Sequence, residues 1–386
     1  MQIIEVNNKK LEEDFLLFPV NFYKNDPNYI RPLDDDIKNV FNPKKNKKFR
    51  NGEAIRWLLL DEKNEYIGRV SAFVSNEKPS KGKLAVGGMG FFDCIDNQDA
   101  ANILFDKCKT WLEERGLNAM DGPINFGERN FWWGLLVEGF TPPLYGMNYN
   151  PLYYKKLFEN YGFKLYFKQF TYGVKVADPR PEVYMKRAAT FKDDPNYRFV
   201  HIQKKNLKKY AIDFLTVYNK AWGNHPGFKK MTESQAVGLM NSMKDVIVED
   251  LMWFGYYKEE PIAVFLMLPE LNQYFKYVNG KMNFIGKLKY LYHKLMGTNK
   301  QIFGMVFGVT PEFQGKGVEG GIIMAADKIV QKGNKYEEMQ MTWIGDFNPK
   351  MMRVAENLGG KITKVHITYR YIFDETIPFE REKIIT

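Results

Sequence analysis

Residues 302–321 read IFGMVFGVTPEFQGKGVEGG. An apolar, β-branched and aromatic run breaks at Thr310-Pro311, then passes through Gly315, Gly317, Gly320 and Gly321 into IIMAADKIVQ (322–331). The pattern predicts a strand over Ile302–Val309 and a helix over Gly321–Gln331. Glycines between a strand and a helix N-terminus leave successive backbone N–H groups beside the positive end of the helix dipole. That geometry can hold a pyrophosphate. With no Gly-Lys-Ser/Thr the turn is not a Walker loop, and it is not the spaced dinucleotide fingerprint either.

Working outward, strand-like and helix-like segments alternate along the chain. Ile55–Leu60, Tyr66–Val74 and Gly88–Asp93 read as strands, and Ala100–Arg115 as a helix closed by Gly116. Tyr197–His201, Met252–Tyr257, Ile262–Leu268 and Met339–Ile344 read as further strands, and Leu207–Trp222 as a helix. Two stretches repeat one grammar: NPLYYKKLFENYGFKLYFKQFTYGVKV (Asn150–Val176) and NPKMMRVAENLGGKITKVHITYRYIF (Asn348–Phe373). In each, Asn-Pro opens a helix, Glu-Asn-x-Gly closes it and a strand follows. The repeat implies a duplicated domain. The boundaries expected are 1–178 and 197–386, joined by a Pro-rich charged linker over 179–196. The fold class is α/β (α+β): two domains in tandem, each a mostly antiparallel mixed sheet flanked by helices.

Composition agrees. At about 100–200 residues per domain, 386 residues make two domains. Hydrophobic residues at 45% and charged residues at 26% exclude disordered, collagen-like and coiled-coil classes. Aromatic residues, at 16%, can fill large cores and line an apolar groove. Cys94 and Cys108 are too few for a disulfide framework or a cysteine zinc site, and no metal is expected. No apolar run approaches the ~18 residues of a membrane span, and residues 1–10 lack a signal-peptide core. An intracellular, cytoplasmic protein is the expectation.

The run VTPEFQGKG resembles the coenzyme A loop of the GNAT acyltransferase superfamily, whose pattern is Gln/Arg-x-x-Gly-x-Gly/Ala after the fourth strand. Gln314 and Gly317 fit it. The whole chain also resembles a bacterial family of double-GNAT proteins, through DPNYIRPL (26–33), GRVSAF (68–73), GPINFGERNFWWGLLVEGF (122–140), YNPLYY (149–154) and YNKAWGNHPGFKKMT (218–232). The resemblance implies an N-acyltransferase using acetyl-CoA or a longer acyl-CoA. For some relatives the acceptor is the amine of a long-chain sphingoid base. An acyl carrier protein is the other donor to weigh.

The resemblance implies coenzyme binding by Gln314, Gly315, Lys316, Gly317 and Gly320, a main-chain donor to the thioester around Val309, and Asn348 against the pantetheine arm. It places the coenzyme in the second half, because the matching turn of the first half, Cys94–Ala100 (CIDNQDA), has no glycine and two aspartates. Two positions depart from the pattern. Glu319 stands where the loop usually ends in Gly or Ala, and Ala355 and Phe158 stand where a tyrosine acid is usual. They raise the alternative of a catalytically degenerate ligand-binding protein. For the base, His225 in GNHPGF (223–228) comes first, because an imidazole titrates in the useful range; Asp346, ahead of the Asn348 helix, is second. In GPINFGERNFWW (122–133) polar groups lie among aromatics, reading as a substrate-lining loop: Asn125, Trp132 and Trp133 contact substrate and Glu128 orients an amine or hydroxyl. Trp343 completes the substrate set.

The net charge of +10 falls as +1 on residues 1–178 and +9 on 179–386. Between Glu270 and Glu312 there is no acid, yet six lysines. Phe284, Ile285, Leu288, Leu291, Tyr292, Leu295 and Met296 cover about 140° of a helix, with lysines and His293 on the rest. Such a helix over 281–298 fits an anionic membrane surface; the other reading is a helix packed on a neighbouring domain. Nucleic acid is not expected, since these aromatics form a helical apolar face rather than a stacking platform.

Overall fold

The computed structural model describes residues 1–75, 84–191, 194–223 and 230–385. The first half contains β1 (Gln2–Glu5), α1 (Lys9–Phe22), α2 (Asp34–Val40), β2 (Gly52–Leu60), β3 (Tyr66–Ser75), β4 (Val86–Cys94), α3 (Gln98–Glu113), β5 (Ala119–Gly122), β6 (Leu135–Glu138), α4 (Tyr154–Tyr161) and β7 (Lys164–Lys175). After α5 (Glu182–Ala189) come β8 (Tyr197–His201), α6 (Leu207–Trp222), α7 (Glu233–Ser242), β9 (Met252–Tyr257), β10 (Glu260–Pro269), α8 (Asn272–Phe275) and α9 (Phe284–Leu295). The chain ends in β11 (Gln301–Val309), α10 (Val318–Lys332), β12 (Glu338–Gly345), α11 (Pro349–Asn357) and β13 (Lys361–Ile372). The segment expected as a linker thus carries a helix of its own.

Each half repeats antiparallel strands, one parallel pair and a crossover helix. β1 to β4 and β8 to β11 are antiparallel in sequence, and β4–β5 and β11–β12 are the parallel pairs. The order β1-β2-β3-β4-β5-β13-β7-β12-β11-β10-β9-β8 makes one continuous sheet, with β6 added on β13. The closing strands are exchanged: β13 of the second repeat pairs with β5, and β7 of the first repeat pairs with β12. β7 and β13 then pair with each other from Lys361/Gly173 to Arg370/Lys164, so the two halves share a spine.

Packing follows the apolar stripes. α3 buries Leu104, Phe105, Cys108 and Leu112 against β2–β4, and α10 buries Ile322, Ile323 and Ala326 against β8–β10. α6 covers the opposite face with Tyr210, Phe214 and Val217. One expected feature is corrected. In the first repeat Asn-Pro does not open the helix, which begins at Tyr154. Asn150 is buried and instead exchanges hydrogen bonds with the Leu136 backbone at 2.8 and 3.0 Å. In the second repeat Asn348 does cap α11, accepting from the Met351 amide at 3.2 Å. Both helices exit at a left-handed glycine, Gly162 and Gly359.

Candidate active site

β11 pairs with β12 only through Gln301–Gly304 and Glu338–Met341, then the strands part. A strand this central in a sheet is ordinarily buried on both faces, yet Phe303 to Phe307 are only partly buried. The Trp222 ring lies against Gly308. At the end of β11, Thr310–Phe313 makes a short turn, and the Gln314 side chain donates back to the Val309 carbonyl at 3.0 Å. Gly315 and Gly317 take positive φ (73° and 84°), which a glycine adopts without strain. Gly317 is the N-cap of α10 and brings no side chain to cap it. Among the described residues no hydrogen bond engages the amides of Gly315, Lys316, Gly317, Val318 and Glu319. They are open donors at the positive end of a helix, a geometry that can receive an anion.

The carboxylate of Glu319, which would oppose an anion there, is held by Arg187 of α5 at 2.7 Å and not by Lys316. Lys316 instead lies over the Phe313 ring. Arg187 also accounts for Gly320: a Cβ there would stand 2.7 Å from that of Arg187, so the glycine lets α5 approach. Ala355 is fully buried, and α11 itself carries no hydroxyl side chain.

The loop between β5 and β6 spans both halves. Trp343 lies beyond the end of the β11–β12 pairing; its Nε1 donates to the Arg129 carbonyl at 2.9 Å and its ring stacks on Phe167. Glu128 is exposed, 3.4 Å from the Lys48 ammonium. It is also close enough to the Tyr218 phenol of α6 to add to the upward shift that burial causes there. Trp132 turns the other way, into a first-half cavity, near Phe91. Asn125 is buried beside that loop with its Oδ1 unpaired, and Trp133 is covered by Arg129. Asp346 is tied by Arg381. His225 lies outside the described residues.

The sequence reading missed the first-half cavity. It holds about 100 Å3 where β4 and β5 part after Val86–Gly88. At its floor Asp93 is buried with Arg69 at 2.7 Å and accepts from the Tyr23 hydroxyl at 2.8 Å. The Arg69 guanidinium also donates to the Phe15 carbonyl at 2.6 Å. The Tyr154 hydroxyl lies 3.5 Å from Asp93 and accepts the Cys94 amide at 2.7 Å. Burial pushes the Asp93 carboxyl above its ordinary range against the pull of Arg69, and burial with the Asp93 charge pushes both phenols far up. The signal was in the sequence, as a lone arginine in IGRVSAFV and a lone aspartate in GFFDC. A charge inside an apolar strand needs a partner. Met147 joins the two sites: it lines the cavity, and its sulfur lies 3.6 Å from Thr342 Oγ1, where β12 leaves β11.

No protein-family model matches the chain. Over 379 residues it is 27% identical to a bacterial ceramide synthase of Caulobacter vibrioides, covering 96% of this chain and 97% of that one. Among solved structures, a tandem GNAT protein from the clavulanic acid biosynthesis pathway superposes with a TM-score of 0.54, over 98% of this chain and 99% of that one, at 8% identity. A GCN5-related glucosamine N-acetyltransferase region in a fungal multi-domain β-N-acetylglucosaminidase gives 0.55 at 11% identity. That match takes in 96% of this chain but only 38% of the longer fungal one. The relatives are of acyltransferase type. The chain is a tandem GNAT-fold protein, similar along its whole length to a bacterial ceramide synthase.

Proposed function

We propose that the chain transfers an acyl group from acyl-CoA to the amine of a long-chain lipid. The amine nitrogen attacks the thioester carbonyl, a C–N bond forms, the C–S bond breaks, and the proton lost by nitrogen balances the one gained by the thiolate. The observation that carries this reading is the row of unpaired amides from Gly315 to Glu319 at the mouth of the parted strands. Arg187 stands beside it and compensates Glu319. Partly buried Phe307, against Phe265 on the α10 face of the sheet, supplies apolar surface next to the loop. The likeness to a ceramide synthase supports a lipid amine, since a ceramide is an N-acylated sphingoid base. In this reading the amine head of the acceptor enters the first-half cavity, whose Met147 wall reaches Thr342 of β12. Glu128 stands on the loop that spans both halves.

Binding without turnover is the second reading, and buried Ala355 is the observation that favours it. Incubation with palmitoyl-CoA and a long-chain amine, followed by mass spectrometry and thiol release, separates the two. Amide and free thiol in equal amounts support transfer. Saturable acyl-CoA binding with neither product supports the binder.

A further inference from the structure

The seven apolar side chains of α9 do not pack on a neighbouring domain. Phe284 is 76% exposed, Ile285 62%, Leu295 77% and Met296 63%, and Leu288, Leu291 and Tyr292 are about half exposed or more. The opposite side of the helix holds it to the body. Gly286 is buried where a Cβ would strike the Lys281 carbonyl, Tyr290 packs on Tyr274 and Phe275, His293 stacks on Tyr277 at 3.5 Å, and the Lys294 ammonium donates to the Asp245 carbonyl at 2.6 Å. At about 100° per residue, Gly286, Tyr290, His293 and Lys294 centre roughly opposite the apolar arc. Lys287 and Lys289, both exposed, fall on either flank of that arc.

We infer that α9 is a membrane-docking helix, lying in the plane of an anionic bilayer with its apolar face among the acyl chains and its flanking lysines at the phosphates. Charge complementarity selects the occupant. No Asp or Glu occurs between Glu270 and Glu312, so α9 itself carries lysines and no acid; Asp245 approaches only its anchored side, near Tyr290 and Lys294. The flanking lysines rim the apolar arc rather than interrupt it, as an interfacial helix requires. Among the described residues no helix is long and apolar enough to cross a membrane, so the attachment is peripheral.

The location connects this surface to the first-half cavity. The segment before α9 is bolted to the first half: the Asn272 side chain donates to the Pro143 carbonyl at 2.9 Å, Phe275 meets Tyr145, and the Asp34 amide donates to the Gly280 carbonyl at 2.8 Å. Asn272, Tyr145 and Asp34 all line the cavity. A bilayer under α9 therefore lies beside the wall of that cavity. The docking stands on the exposed helix alone, whatever reaction the chain performs.

The test is co-sedimentation of the full chain with vesicles of phosphatidylcholine alone or with about 30% phosphatidylglycerol, in the absence of any substrate. The wild-type chain is expected to bind the anionic vesicles at least tenfold better than the neutral ones. Leu288→Glu/Leu295→Glu is expected to lose that binding with an unchanged melting temperature, since both side chains are solvated. Lys287→Glu/Lys289→Glu is expected to lose the preference for phosphatidylglycerol. Leu291→Trp supplies a second readout, a blue shift of emission on anionic vesicles. Failure of the wild-type chain to sediment with either vesicle overturns the inference, as does equal binding by the Leu288/Leu295 variant. It is also overturned if that variant only converts a dimer to a monomer, or only releases an acidic acyl carrier protein.

Discussion

The turn from β4 into α3 and the turn from β11 into α10 occupy the same place in the two repeats, and they end differently. At the first, Asn97 caps the helix and its Oδ1 takes the Ala100 amide at 2.9 Å, so part of the positive helix end is already satisfied. The strand before it carries Asp93 one residue from its end, neutralised by Arg69. At the second, Gly317 caps without a side chain, the amides from Gly315 to Glu319 stay open, and the nearby acid is neutralised by Arg187 from outside the repeat. One frame thus yields an uncapped helix end with open amides in the second half and a tyrosine-lined cavity with an internal ion pair in the first. The sheet fixes where the strands part; a few side chains at that point decide what enters.

The largest effect expected on this contrast is at the buried pair. Asp93→Ala strands Arg69 at the cavity floor and is expected to destabilise the chain by about 3–5 kcal/mol, read in urea unfolding. A loss under about 1 kcal/mol would mean that water already reaches the pair. Next comes Arg187→Ala, which leaves Glu319 facing the loop alone. Acyl-CoA affinity should fall about tenfold, roughly 1.4 kcal/mol, and recover when Glu319→Gln is added. An unchanged affinity would detach Arg187 from the anion site.

A pH-dependent effect lies where the halves meet. Glu270 is buried and accepts the amides of Tyr145, Asn272 and Gln273 at 2.7, 3.1 and 3.0 Å, and burial pushes its carboxyl from 4.5 up to about 7. It holds its proton more tightly folded than unfolded, so its contribution to stability is complete below about 4.5 and is lost as pH rises through about 7. Glu270→Gln should flatten the stability profile across that window, measured by urea midpoints at several pH values. A slope that persists would assign it elsewhere. The smallest effect is at the exposed loop, where Glu128→Gln should change stability by less than about 0.5 kcal/mol, because its pair with Lys48 is solvated. A drop in turnover at unchanged stability would give Glu128 a role in the reaction.

Most element types were legible in the sequence, because periodicity records which face each segment buries. β8, α6 and β9 run over the residues expected from pattern alone. The exchange of β7 and β13 was not legible: alternation shows that a strand is buried on its faces, not which neighbour it bonds. Asn150 was misread for a related reason, since Asn-Pro signals a cap and cannot show that the side chain is drawn off to the Leu136 backbone. The partner of Glu319 also lay out of reach, 132 residues away on a helix inside what read as a linker. The apolar arc of α9 was visible, but whether it faced inward or outward depended on Tyr290 and His293 anchoring its other side.

The account rests on unequal halves, and calorimetric titration with decanoyl-CoA tests that most directly. One molecule should bind per chain. Binding should be lost in Gly315→Glu and largely kept in Gly315→Asn, which takes the same positive φ in the same open space without the charge. It should persist in Asn97→Gly, which uncaps the first-half helix at a cost of only a few tenths of a kcal/mol, on the order of 0.3. Two molecules per chain, or one that survives Gly315→Glu, would contradict the assignment of the donor to the second half.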